Sequence, residues 1–200
     1  MTSGGGTTAG DAKRALRSEV LARRARLTQA ERAEGSHAIA ERVEQVATLR
    51  HARLVALYAP LGTEVDTGEI GRLILGRGGK VAYPRSVNGD RRLEFCLCAP
   101  AELVQGPLGA REPPPDAPAI DLADVDCVVV PGVAFSVDGH RLGRGGGYYD
   151  ATLEAMPRAA RVGVAFEVQL VASLPREPHD AALDALVTEA RALAFSRESR

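Results

Sequence analysis

The sequence predicts an α/β domain with a mostly parallel sheet. Three observations carry that expectation. Short apolar runs at 54–58 and 127–135, and the segment 161–166, read as strands. Stretches with helical apolar spacing stand between them. A glycine-rich loop, 141–150, joins the second run to a helical pattern from Tyr148 to Met156.

Taken in order, residues 1–10 are rich in Gly, Thr and Ser and read as a disordered leader. They lack the basic-then-apolar order of a signal peptide, so the expected compartment is the cytoplasm. A single domain spans 11–200. Its first helix runs from Asp11, a plausible N-cap, to about Leu27, and it places Lys13 and Arg17 four apart on one face. Those two cations form either a solvated face or a phosphate clamp. Thr28 and Glu31 form a capping box that opens a second helix. Its buried stripe is Ile39, Val43, Val46 and Leu49, with His37 on its surface and His51 at its end.

Leu54–Tyr58 is the first buried strand. Pro60-Leu61-Gly62 turns the chain, and Asp66-Thr67-Gly68-Glu69 caps a helix centred on 70–75. Glu64 lies in this strand-to-helix loop, where open α/β sheets place their ligands. Residues 80–84 form a strand ending at Arg85, and Leu93–Leu97 forms another. The Pro- and Gly-rich stretch 105–118 is a surface connection. After the glycine loop come a strand at 161–166, a short helix around Gln169–Leu174, a polar turn at His179-Asp180 and a strand at 183–188.

Composition excludes several classes. Net charge is −1 and aromatics are 4%, which gives no electrostatic case for nucleic acid or an anionic membrane and little means of stacking on bases. No apolar run approaches the ~20 residues that span a bilayer. Cys96, Cys98 and Cys127 lack the partners for a zinc site and read as buried thiols.

The chemistry concentrates in Arg141-Leu142-Gly143-Arg144-Gly145-Gly146-Gly147-Tyr148-Tyr149-Asp150. Gly has no Cβ, so such a loop turns sharply and lets backbone amides approach an anion. Arg141 and Arg144 add positive charge, and Asp150 adds a carboxylate able to hold a metal. The stretch reads as a phosphate-binding loop. It is neither G-x-x-x-x-G-K-[S/T] nor G-x-G-x-x-G, because Tyr148 stands at the last position of the latter. A glycine turn that binds nothing is the plainer alternative.

Four separated segments resemble one family, 5-formyltetrahydrofolate cyclo-ligase. They are Lys13–Arg17; Tyr58-Ala59-Pro60 with Glu64 and Thr67; Pro131–Phe135 through Gly139 and on to Asp150; and Pro175 through His179-Asp180, Asp184 and Thr188-Glu189. The resemblance implies a three-layer α/β/α sandwich, of the kind shared with phosphosugar isomerases and CoA transferases. It implies conversion of 5-formyltetrahydrofolate to 5,10-methenyltetrahydrofolate, with ATP split to ADP and phosphate and Mg²⁺ required. By the family pattern Lys13, Arg14, Ala15, Leu16 and Arg17 contact ATP, as do Arg141, Leu142, Gly143, Arg144, Gly145, Gly146, Gly147, Tyr148 and Tyr149. Ala59 and Glu64 contact the folate, and Asp150 and Asp180 attend magnesium. Arg144 and Lys13 are the expected catalytic cations. The partners expected are the two substrates alone, bound by a monomer, without nucleic acid or membrane. The chain departs from the family at Ser136, where Asp is usual, and at Ala151, where Arg is frequent. Two rivals share the architecture: a phosphosugar isomerase-like or CoA transferase-like enzyme, and a non-catalytic nucleotide- or RNA-binding module.

Overall fold

Apolar runs without polar alternation must bury both faces, and the strands they form do so. The computed structural model describes residues 9–87, 90–106, 109–175 and 181–196. Its helices are α1 (Ala9–Ala25), α2 (Gln29–Arg42), α3 (Ala47–Arg50), α4 (Gly68–Gly76) and α5 (Tyr148–Leu153). Its strands are β1 (Leu54–Ala56), β2 (Lys80–Ser86), β3 (Leu93–Leu97), β4 (Val104–Gln105), β5 (Arg111–Glu112), β6 (Cys127–Val130), β7 (Ala134–Ser136), β8 (Arg141–Leu142), β9 (Ala160–Val164), β10 (Leu170–Val171), β11 (Ala185–Val187) and β12 (Ala192–Ala194).

The main sheet has the order β12-β11-β9-β6-β1-β2-β3. Its inner run from β11 to β2 is parallel, and the edge strands β12 and β3 are antiparallel to their neighbours. Alternate residues divide between two cores, as strand geometry requires. Val55, Leu57, Val81, Tyr83, Val129 and Val162 face Ile39, Val43 and Leu49 of the α2–α3 region and Ile70 and Ile74 of α4. Ala56, Ala82, Val128 and Val130 face Phe135, Leu153, Met156 and Leu183. Helices α2 to α4 thus cover one face of a mostly parallel sheet, and α5 with the segments around Phe135, Met156 and Leu183 covers the other.

Several boundaries differ from expectation, each for a local reason. Helix α1 already includes Ala9 and Gly10, so Asp11 lies in its first turn, where it pairs with Arg14 at 3.0 Å. The capping box at Thr28 and Glu31 is present. The second helix does not run to His51. It tightens at 43–45, and Val46 leaves helical geometry (φ −86°, ψ 102°) before α3 begins. The apolar run 127–135 is two strands, because Pro131 has no N–H to continue the ladder. Gly132 then lets the chain fold tightly over Phe135; a Cβ there would meet the ring at 2.5 Å.

Beyond that break lies a second sheet, β10-β7-β8, in which β7 pairs antiparallel with β8 and parallel with β10. The helix expected at 169–174 is therefore a 3₁₀ turn at 167–169 followed by β10. Gln169 organises this corner. Its Nε2 donates to Gly132 O at 3.1 Å and Val133 O at 3.0 Å, and its Oε1 accepts from Phe166 N at 3.1 Å. Val20 and Leu16 of α1 pack on Val133, Ala134 and Leu142 of this sheet. At the chain end β11 is shorter than expected, and it folds back into β12 through a turn where Thr188 Oγ1 accepts from Ala190 N and Arg191 N at 3.2 and 3.1 Å. Among the described residues no helix is long and apolar enough to cross a membrane.

Candidate active site

The second sheet delivers the glycine loop. Arg141 and Leu142 are buried strand residues of β8, so the loop proper starts at Gly143. Gly145 (φ +98°) and Gly147 (φ +71°) sit in the left-handed region, which other residues enter only under strain. Gly147 then starts α5, a helix of six residues rather than the longer one expected to Met156.

A cavity of about 450 Å³ opens beside this loop. One wall is residues 141–150 together with Lys13 and Arg17 of α1. A second is Tyr58, Ala59, Leu61 and Glu64 from the loop after β1. A third is Pro84, Ser86, Leu93, Ala110 and Glu112 from β2, β3 and the β4–β5 hairpin, with Pro131 and Gly132 at the floor between the sheets. The volume lies in the range of small-molecule sites.

Helix α1 presents a single stripe here. Lys13, Arg17, Val20 and Arg24 recur at helical spacing, and the two ends of the stripe are buried cations, Lys13 at 7% and Arg24 at 2% exposure. Arg17 Nε donates to Gly143 O at 2.8 Å, which fixes the loop against the helix. Arg14 and Ala15 point to solvent, and Leu16 packs on the second sheet. None of these three lines the cavity, because about 100° of rotation per residue carries them off the Lys13–Arg17 face.

Arg141 Nη2 holds Asp150 Oδ1 at 2.5 Å, so strand β8 and helix α5 are joined by an ion pair whose arginine is 5% exposed. Arg144 reaches across the cavity mouth instead. Its Nε and Nη2 donate to Glu64 Oε1 at 3.1 and 2.8 Å. Glu64 Oε2 accepts from Leu61 N at 2.9 Å, so both of its oxygens are engaged. The loop that carries Glu64 is braced from within. Tyr58 Oη donates to Val65 O at 3.1 Å, and Thr67 Oγ1 donates to Tyr58 O at 2.6 Å. Thr67 thus serves the loop rather than capping α4 with its side chain, and Asp66 Oδ1 accepts from Gly68 N at 2.8 Å.

Two groups here escape a motif reading. Arg24 donates from Nε to Thr63 Oγ1 at 3.0 Å, while its Nη1 is buried without a hydrogen-bond partner among the described residues. Burial lowers its pKa, and the nearby Glu64 carboxylate opposes that. The hydroxyl of Tyr149 is likewise buried in the cavity wall without a partner among the described residues. Burial and then Glu64 push it far above the ordinary tyrosine range. It stays a neutral hydroxyl, shielded from solvent within the wall. Arg24 was legible as the next member of the Lys13–Arg17 stripe; the state of Tyr149 was not.

Other expected residues fall elsewhere. Arg85, at the end of β2, turns away from the cavity to Glu94 (2.6 Å) and the carbonyls of Pro114 and Pro115, and alternation puts Ser86 in the wall instead. Ser136 holds the β7–β8 turn, accepting from His140 N at 3.2 Å and donating to Asp138. Ala151 is half-buried in α5. His179 and Asp180 lie outside the described residues. Among the described residues no group of three or more His, Cys, Asp or Glu is arranged to hold a metal by itself. All three cysteines are buried and free, and burial raises their pKa values, that of Cys98 to about 11.

Comparison with known proteins finds relatives over most of the chain. Residues 9–189 match the model of the 5-formyltetrahydrofolate cyclo-ligase family. The chain is 34% identical over 151 residues to the 5-formyltetrahydrofolate cyclo-ligase of Mycolicibacterium smegmatis, covering 72% of this chain and 78% of that one. It is 32% identical over 174 residues to the enzyme of the same name from Escherichia coli, covering 84% and 96%. The fold is similar to that of the 5,10-methenyltetrahydrofolate synthetase of Aquifex aeolicus, with a TM-score of 0.80, 33% identity and 94% of each chain covered.

Proposed function

This chain belongs to the 5-formyltetrahydrofolate cyclo-ligase family, and from that premise we infer how its cavity carries out the reaction. The enzyme converts 5-formyltetrahydrofolate and ATP to 5,10-methenyltetrahydrofolate, ADP and phosphate. One observation carries the assignment of the site: Lys13, Arg17, Arg141, Arg144 and the glycine loop converge on a single cavity, although they lie more than a hundred residues apart in the chain.

A formamide oxygen is a poor leaving group. Attack of that oxygen on the γ-phosphorus of ATP forms a P–O bond and releases ADP. The N10 lone pair then bonds to the activated carbon, phosphate departs with the former formyl oxygen, and the N10 proton is released. Phosphoryl transfer asks a protein for alignment and charge neutralisation rather than covalent chemistry. In our reading Lys13 and Arg17 receive the phosphates, and the left-handed glycines let the chain pass close to them. Arg144 leaves Glu64 to meet the transferred group. Arg141 keeps Asp150 in place, and Ala59 and Glu64 face the folate.

Magnesium is the expected companion of ATP. Asp150 suits it: one oxygen is taken by Arg141, the other has no donor among the described residues, and Mg²⁺ commonly uses one or two protein carboxylates with phosphate oxygens and waters. Asp180 is the second carboxylate that the family pattern supplies. When bound, the ion would neutralise phosphate oxygens. The same reading has one catalytic domain, which includes α1 from Ala9, acting as a cytoplasmic monomer on small molecules alone. That the described cavity lining comes from one chain supports the monomer.

The test is direct. ATP, Mg²⁺ and 5-formyltetrahydrofolate are mixed with the protein, and the near-ultraviolet absorbance of the methenyl product is followed together with ADP release. Product formation without ATP, or no product with it, overturns the reading.

A further inference from the structure

The cavity is two-sided in charge, and its third wall holds a carboxylate that the phosphate end does not explain. Glu112 is 7% exposed and lines the same cavity as the cationic loop. Its Oε1 accepts from Ser86 Oγ at 2.7 Å, and Oε2 has no donor among the described residues. The side chain is held from below as well. A Cβ on Gly106 would meet Glu112 Cγ at 2.6 Å and Cδ at 2.7 Å, so the carboxyl stem lies flat on a glycine. Around it the wall is apolar, from Pro84, Leu93 and Ala110.

A buried carboxylate fixed on two sides disfavours a triphosphate and favours N–H donors. Resting on the cyclo-ligase reading, we propose that Glu112 recognises the folate substrate by accepting hydrogen bonds from the 2-amino group and N3–H of its pterin. That edge presents two adjacent donors, which match two carboxylate oxygens. Adenine does not offer the pair, because its amino group adjoins a ring nitrogen lone pair. Glu64 frees an oxygen only when Arg144 leaves it, whereas Oε2 of Glu112 has no donor among the described residues to lose. Ser86 and Gly106 are the positioning residues: one orients the carboxylate, and the other leaves room for it.

Binding of 5-formyltetrahydrofolate, of its 2-desamino analogue and of ATP is measured by calorimetry on wild type and Glu112→Gln. The amide keeps the shape but accepts at one atom only. Wild type is expected to bind the desamino analogue at least about tenfold more weakly than the natural folate, the scale of a lost charge-assisted hydrogen bond. Glu112→Gln is expected to weaken the natural folate by about the same factor, to narrow the gap between the two folates, and to leave ATP affinity unchanged. A wild type that binds both folates alike overturns the proposal, and that arm needs no variant to fold. Loss of ATP affinity with intact folate selectivity also overturns it. Methenyl production by wild type separates the two levels: no product removes the activity itself, whereas normal product with no selectivity for the amino group removes only the role of Glu112.

Discussion

Arg144 and Glu64 are joined across the cavity mouth by two donors to one oxygen, at 3.1 and 2.8 Å. They come from loops 80 residues apart. The pair ties the glycine loop to the loop after β1, and the arginine is half exposed while the glutamate is 7% exposed. The arginine is therefore the partner with freedom to move.

Arg144→Ala should lower kcat by at least tenfold, about 1.4 kcal/mol of barrier. Arg144→Lys should not restore it, because an ammonium lacks the planar fork that spans two acceptors. Steady-state kinetics with saturating ATP and folate measure both. Unchanged turnover in the alanine variant would remove Arg144 from the chemistry.

The α1 stripe separates neighbours in sequence by function. Arg17→Ala loses the bond to Gly143 O as well as a cavity charge. It should raise the apparent KM for ATP about tenfold or more, on the scale of a lost hydrogen bond to a charged group. Arg14→Ala, on the solvent face and paired with Asp11, should leave it within about twofold. Equal effects of the two substitutions would contradict the orientation of the helix.

Gly132→Ala tests the junction between the sheets. Its methyl would press on the fully buried Phe135 ring. Overpacking of this kind costs about 1–3 kcal/mol, which in a chain of this size corresponds to roughly 2–4 °C of thermal midpoint per kcal/mol. A melting curve identical to wild type would show that the ring yields without cost.

Thr28→Ala removes half of the capping box. It should destabilise the protein by ~1 kcal/mol in urea titration, with kinetic constants unchanged. A change in KM for either substrate would be the contrary result.

His37 bonds to Glu69 at 3.0 Å and joins α2 to α4, and that bond raises its pKa above the ordinary histidine value of about 6.5. A raised folded pKa stabilises the fold fully below the unfolded value and ceases to do so as pH rises through the folded one. The stability gap between wild type and His37→Ala should therefore be widest in mild acid and close toward alkaline pH. An NMR titration should find the His37 pKa raised in wild type and lowered by Glu69→Gln; no response to that substitution would exclude the pairing.

Much of this was legible in the chain itself. Continuous apolar runs announced strands buried on both faces, and Thr28 with Glu31 announced a cap, because both signals are local. The segments Lys13–Arg17 and Arg141–Asp150 were expected to act together because their residue types and order resemble a family's, and Lys13, Arg17 and residues 141–150 do line one cavity. What stayed hidden was set by contacts distant in sequence. The stretch 167–171 became a turn and a strand only because β7 offered an edge to pair with.

Sequence by itself determined which segments bury, which glycines can turn sharply and which cations share a helix face, since those follow from spacing and side-chain chemistry alone. Tertiary structure alone decided that Arg144 holds Glu64, that Tyr149 hides its hydroxyl in the cavity wall, and that Ser86 and Gly106 fix Glu112 in the cavity that the glycine loop also lines. The physical reason is that burial and hydrogen-bond partnership belong to pairs of groups, and a chain read in order does not say which pairs will meet.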